Sequence, residues 1–283
     1  MLPGGEWVPR PINPERKSLF RSPFLLTFYY ACDKMYSLIT SHKRKERKMQ
    51  KAVLFDLDGT LLPLDQDFFV KTYLGRLAAY LALYGYNPDV LIKAIMKGTD
   101  AMIANDGEKS NEEVFWDTFE AVYDEDKRQD APYFESFYKT DFEKIKSIMG
   151  FDERARGIVA ALKEQGIITV LATNPVFPAV ATEARMRWAG LTPDLFDLVT
   201  TYENIGYCKP NPEYYREILR RLNLSPENCV MVGNDVDDDM IAEVLGMRVF
   251  LLTDRLVNRR GADISRYPQG GFADLAEFLG VKL

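Results

Sequence analysis

Four short apolar runs, at residues 52–55, 167–172, 229–233 and 248–252, constrain this chain more than any other feature. Runs of this length read as buried strands. Between the later runs lie stretches with apolar residues three and four apart, the helical spacing. Strands that alternate with helices imply an α/β fold with a parallel, doubly wound, Rossmann-like sheet. In such a sheet ligands bind beyond the carboxyl ends of the strands. The two acids at the end of the first run, Asp56 and Asp58, therefore stand where chemistry is usually done.

The first run leads into Asp56-Leu57-Asp58-Gly59-Thr60. Positions i and i+2 of an extended chain face the same side. Two carboxylates in one small space repel, so either a cation joins them or one keeps its proton. A free Asp titrates near ~3.9, so one of the pair can be an ionised nucleophile at neutral pH without a base. A protonated neighbour can act as general acid.

The β pattern stops after Leu62. Residues 68–83, 88–103, 111–123 and 132–148 carry helical periodicity, with a turn at Asn105-Asp106-Gly107. A helical block of about ninety residues is too large for a loop. The expected division is a core of residues 49–62 and 151–283 and a separate small helical domain of residues 63–150. Tyr73, Tyr80, Tyr84, Phe115, Trp116 and Phe119 are expected to form the core of that small domain. Asp65, Gln66, Lys71 and Asn111 are polar candidates near its hinge or inner face.

Asp56-Leu57-Asp58-Gly59-Thr60 resembles the first motif of the haloacid dehalogenase (HAD) superfamily. Thr173, after an apolar strand, is similar to that family's second motif. Lys209, in Cys208-Lys209-Pro210-Asn211-Pro212, resembles the third. Gly233-Asn234-Asp235 through Asp239 resembles the fourth, two acids four residues apart, with Asn234 interposed and Asp237 and Asp238 as spare acids. The resemblance covers residues 49–283 and places an inserted α-helical cap after the first motif.

That resemblance implies a Mg²⁺-dependent phosphatase acting on a small phosphorylated metabolite. Asp56 would attack phosphorus and form an aspartyl-phosphate. Asp58 would protonate the leaving group and then activate water. Asp56, the main-chain carbonyl of Asp58, and Asp235 would hold Mg²⁺. Thr173, Asn174 and Lys209 would bind the substrate phosphate, and Asp239 would orient Lys209 or a metal-bound water. Dehalogenating relatives lack the second Asp, so Asp58 points to phosphate chemistry. A phosphomutase of the same fold and a non-catalytic phosphate-binding regulator are the alternatives. The regulator would lack at least one of Asp56, Asp58, Lys209 or Asp235, and all four are present.

Charge is divided unevenly along the 283 residues. Residues 1–48 carry ten Lys or Arg against four Asp or Glu, which leaves 26 against 38 in residues 49–283. A body that acidic argues against nucleic acid as a partner. The first 23 residues hold five prolines, an apolar patch follows, and residues 42–48 form a basic run. The patch is far short of the ~18–20 residues that span a bilayer, so no membrane partner is expected. This stretch is expected to be a disordered extension, or to precede a true start at Met49. A targeting segment and a nuclear address are the competing readings. The single histidine, His42, falls within it, which leaves the body to carboxylate rather than histidine chemistry. Three cysteines, Cys32, Cys208 and Cys229, make no disulfide framework and fit a reducing cytoplasm. Cys208 beside Lys209 is expected to be an inert small residue rather than a redox sensor.

Overall fold

The computed structural model describes residues 52–282. The expected extension at residues 1–48, with His42 and Cys32, lies outside the described residues.

Six strands form one sheet: β1 (Ala52–Phe55), β2 (Ile168–Leu171), β3 (Leu198–Val199), β4 (Cys229–Gly233), β5 (Arg248–Leu252) and β6 (Gln269–Gly270), in the order β3-β2-β1-β4-β5-β6. Every pairing is parallel. The reversal of order on either side of β1 makes the sheet doubly wound. All four residues of β1 and all five of β4 are buried, as expected for strands covered on both faces. Phe55 lies in register with Leu171 of β2 and Val232 of β4. The three strands thus end level, and the residues that follow them meet at one edge.

Eight α-helices accompany the strands among the described residues. α1 (Gln66–Leu81), α2 (Pro88–Ile103), α3 (Asn111–Tyr123) and α4 (Ala131–Lys139) are inserted between β1 and α5 (Glu153–Glu164). α6 (Ala179–Trp188), α7 (Pro212–Arg221) and α8 (Phe272–Leu279) flank the sheet. The caps explain the starts. The Asp65 side chain accepts from Phe68 N at 2.9 Å, Asn87 from Val90 N at 3.1 Å and Asn211 from Glu213 N at 3.0 Å. Ser110 and Glu113 form a reciprocal capping box on α3. Asp65, a candidate hinge residue, is therefore occupied as a helix cap. Lys71 is exposed and has no hydrogen bond or ion pair among the described residues.

The stretch 132–148, expected as one or two helices, is two elements, because Thr140 leaves the helical region (φ −125°, ψ −76°) and a 3₁₀ segment, Phe142–Ile148, follows. Two local differences from expectation have physical causes. After Asp239 the chain forms a 3₁₀ segment, Met240–Leu245, rather than an α-helix. The Asp239 carboxylate is drawn inward to Lys209 and does not cap it. The two-residue β6 carries too few side chains to show a period.

The inserted helices share one cluster of buried side chains with the sheet, running from Val53 and Phe55 through Phe69 and Tyr73 to Phe142. Each such ring contributes about 1.5–3 kcal/mol of burial. Gly150 N donates to Pro63 O at 2.7 Å, so the two ends of the insertion lie side by side. No described helix is long and apolar enough to cross a membrane.

Candidate active site

Asp56 leaves β1 with its N–H still bonded to Val232 O of β4 at 2.9 Å. Its side chain is nearly buried, at 8% exposure, and both oxygens are engaged. Oδ1 accepts from Lys209 Nζ at 2.9 Å and Oδ2 from Thr60 Oγ1 at 3.0 Å. Thr60 Oγ1 also lies 3.0 Å from Asn234 Oδ1, linking the loop after β1 to the loop after β4. Gly59 makes that approach feasible. Its φ is +86°, and a Cβ there would stand 2.4 Å from Asn234 Nδ2. At the end of β4 a Cβ on Gly233 would lie 2.0 Å from Asp239 Oδ2, so this position too must be bare.

Lys209 is 2% exposed and bridges two acids. Its Nζ reaches Asp56 Oδ1 and, at 2.7 Å, Asp239 Oδ1. Burial by itself would lower the ammonium's pKa, but the carboxylates of Asp239 and Asp56 hold it well above the usual lysine value. Asp239 Oδ2 accepts from Asp235 N at 3.0 Å. Burial, reinforced by Asp56 and opposed by Lys209, pushes the Asp239 carboxyl up. Burial likewise pushes Asp238 up to about 6, against Lys209 and with Asp235.

The structure places the sequence candidates as follows. Asp56, Asp58, Thr173, Asn174, Lys209, Asp235 and Asp239 all line one cavity of about 370 Å³. Thr173 is held from behind, its carbonyl accepting from Thr200 Oγ1 at 2.8 Å and Tyr214 Oη at 2.9 Å. Asn174 turns its amide to the Lys209 main chain, its Oδ1 accepting from Lys209 N at 3.2 Å. Of the spare acids, Asp238 lines the cavity and Asp237 does not. Gln66 reaches the cavity wall, whereas Asn111 is buried away from it. Among the six aromatic residues expected as cap core, Tyr73, Phe115 and Trp116 also face the cavity. Cys208 is buried, and burial pushes its thiol up to about 12, as an inert residue requires.

Two arginines were missed. Arg185 on α6 is fully buried, donates from Nη1 to Asp58 Oδ2, and packs its guanidinium 4.3 Å from the centroid of Phe177. Its neighbours Ala181, Ala184 and Trp188 mark the inward face of α6, so its helical spacing was an available signal. Asp58 Oδ1 is buried without a partner. Burial raises the Asp58 pKa, Arg185 opposes that, and Asp56 adds to it. Arg259, from the loop after β5, donates to Asp235 Oδ2 at 2.7 Å and has no motif to reveal it.

Five aspartates and one lysine are the charged side chains lining the cavity. Among the described residues no three His, Cys, Asp or Glu side chains converge as a ligand set. The donors fit a hard cation in another way. Asp56 and Asp235 bring carboxylates to the same cavity, whose excess negative charge a divalent ion would offset. One Asp235 oxygen is met by Arg259, a side chain 56% exposed, and the other accepts from Asp237 N at 2.8 Å and Asp238 N at 3.1 Å.

The model of the haloacid dehalogenase-like hydrolases matches residues 50–246. The chain belongs to that family. Among HAD-like relatives, pyrophosphatase PpaX of Bacillus velezensis is 26% identical over 201 residues, 71% of this chain and 82% of the relative. The glyceraldehyde 3-phosphate phosphatase of Methanothermobacter thermautotrophicus is 36% identical over 78 residues, so the match spans 34% of that protein and 25% of this one. A HAD phosphatase from Thermococcus onnurineus shares the fold, with a TM-score of 0.52, 21% identity and coverage of 82% of this chain and 99% of its own.

Proposed function

We propose that this HAD-like hydrolase is a phosphoric monoester hydrolase working through an aspartyl-phosphate on Asp56. The observation that carries the reading is the setting of Asp56, fixed between Lys209 and Thr60 at the floor of a cavity shared with Asp58 and Thr173. A phosphate monoester brings nearly two negative charges. The site must hold the phosphorus in line and stabilise the charge on its oxygens. The Lys209 ammonium and the Thr173 hydroxyl suit those oxygens. Asp56 attacks phosphorus, the ester P–O bond breaks, and the leaving oxygen takes the proton of Asp58. Asp58 then removes a proton from water, which displaces Asp56 and releases phosphate. Burial favours the acid form of Asp58 and Arg185 its carboxylate, and the balance raises its pKa. Asn174 fixes the Lys209 main chain, and Asp239 fixes its ammonium.

Mg²⁺ fits as cofactor and would be held by Asp56, Asp235 and the main-chain carbonyl of Asp58. It would neutralise charge as an anionic nucleophile meets an anionic substrate. The helical insertion, residues 63–150, would be the cap that excludes water and selects substrate. The relatives support phosphate chemistry on small molecules and differ among themselves in substrate.

The test is phosphate release by the full chain from a panel of phosphorylated metabolites, with Mg²⁺ or EDTA, beside Asp56→Asn. Metal-dependent release that Asp56→Asn abolishes is expected. Equal activity in Asp56→Asn would remove the nucleophile assignment. Isomerised sugar phosphate without net phosphate release would move the reading to a mutase.

A further inference from the structure

We propose that the substrate is the phosphate monoester of an apolar alcohol, of at least phenyl size, rather than a sugar phosphate or pyrophosphate. The inference deepens the phosphatase reading and rests on it. Its basis is the division of the cavity into two unlike halves.

All charged side chains lining the cavity come from the loops that follow β1 and β4 and from Lys209. The insertion contributes none. What α1 to α4 bring is Phe69, Ile95, Met96, Ile103, Trp116 and Phe134, among other apolar groups. Phe177 closes the wall from the core side, its ring 5.1 Å from that of Tyr73.

Several of the few polar atoms on that wall are already committed. Tyr73 Oη and Tyr138 Oη bond each other at 2.8 Å. Thr99 Oγ1 donates to Ile95 O at 2.9 Å, within its own helix. Gln66 Oε1 accepts from Arg259 at 3.1 Å. A sugar placed above the catalytic acids would leave hydroxyls without partners and lose their hydration. Pyrophosphate would place a second phosphoryl group against rings and methyls, where the insertion offers no cation. An apolar alcohol loses nothing polar there and covers the rings. The cavity lies within the roughly 300–1,000 Å³ of ordinary ligand pockets. Met96 and Ile103, each 44% exposed, mark its mouth.

The test compares 2-phenylethyl phosphate with glucose 6-phosphate, both esters of primary alcohols and hence similar leaving groups, and with inorganic pyrophosphate. The full chain is assayed for kcat/KM, and the Asp56→Asn variant for equilibrium binding by calorimetry. We expect 2-phenylethyl phosphate to lead in both, by about 10²-fold or more in kcat/KM. Met96→Lys, at an exposed position that folding tolerates, is expected to cut that ratio about tenfold through KM. Phosphate release that favours glucose 6-phosphate or pyrophosphate overturns the inference and leaves the phosphatase reading standing. No release from any compound, with 2-phenylethyl phosphate still bound best by Asp56→Asn, defeats the phosphatase reading and keeps the preference of the cavity. Binding of none of the three, or a ratio that Met96→Lys leaves unchanged, overturns the inference.

Discussion

Arg185 and Asp58 form an ion pair whose arginine is fully buried and whose carboxylate keeps one oxygen, Oδ1, without a partner. The pair joins the middle of α6 to the loop after β1, two segments 127 residues apart in sequence. A buried charge that loses its partner typically costs about 3–5 kcal/mol. Arg185→Met is therefore expected to destabilise the protein by about that amount and to reduce kcat at least tenfold. Arg185→Lys, which keeps the charge, should restore part of both. Urea unfolding and steady-state kinetics on the two variants check this. An Arg185→Met protein with unchanged stability and kcat would contradict the assigned role.

Gly59→Ala should fail for two separate reasons. The backbone there is left-handed, and a methyl would stand 2.4 Å from Asn234 Nδ2. The backbone part alone costs about 1–2 kcal/mol. Moving Asn234 would also break its bond to Thr60, which holds Asp56. Thermal unfolding should register a clear loss, and the surviving folded protein should turn over more slowly.

Cys208 should resist alkylation although it adjoins Lys209. Its thiol is buried, with a pKa pushed up to about 12, and Cys229 is buried with one pushed up to about 11. In a Cys32→Ser background, iodoacetamide at pH 8 should leave both thiols unmodified in the native state. Both should react once urea unfolds the chain. Rapid native labelling of Cys208, read by mass spectrometry, would contradict this.

Acid should weaken the fold partly through Asp197. Burial acts to raise its pKa, but the Lys163 ammonium at 2.7 Å and the Thr169 N–H at 2.9 Å prevail and hold it below the ordinary value. A folded-state pKa below the unfolded one stabilises above the unfolded value, and the gain disappears as pH falls through the folded value. Asp197→Asn should lower stability near neutrality and flatten the loss below about pH 4. Denaturation curves at pH 7 and pH 3 would show a mutant-to-parent gap at the first and little at the second.

The strands were legible because β1, β4 and β5 are buried on both faces and so appear as unbroken apolar runs. The starts of α2, α3 and α7 are set by Asn87, Ser110 and Asn211, caps that are local in the sequence. Asp56 and Asp58 stood out because they follow a strand, and Lys209, Asp235 and Asp239 because their motifs resemble those of the family. Arg185, Arg259 and Thr60 were not, because their roles come from contacts between segments far apart in the chain. The same holds for the wall of the cavity. Helical spacing showed that Tyr73, Phe115 and Trp116 point inward, but core and ligand pocket lie on the same side of a helix.

Asn111 sits fully buried at the head of α3, its amide reaching Pro175 O at 3.2 Å, Tyr207 O at 3.4 Å and Cys208 Sγ at 3.3 Å. Beside it the main chain of α3 bonds to Ile205 and Tyr202. This latch sits far along the chain from the paired linkers at Pro63 and Gly150. If the insertion swings to admit substrate, it must either unfasten those bonds or drag the segment that carries Lys209 along with it. Access and phosphate grip would then be a single event, with the door and the hand on the same arm.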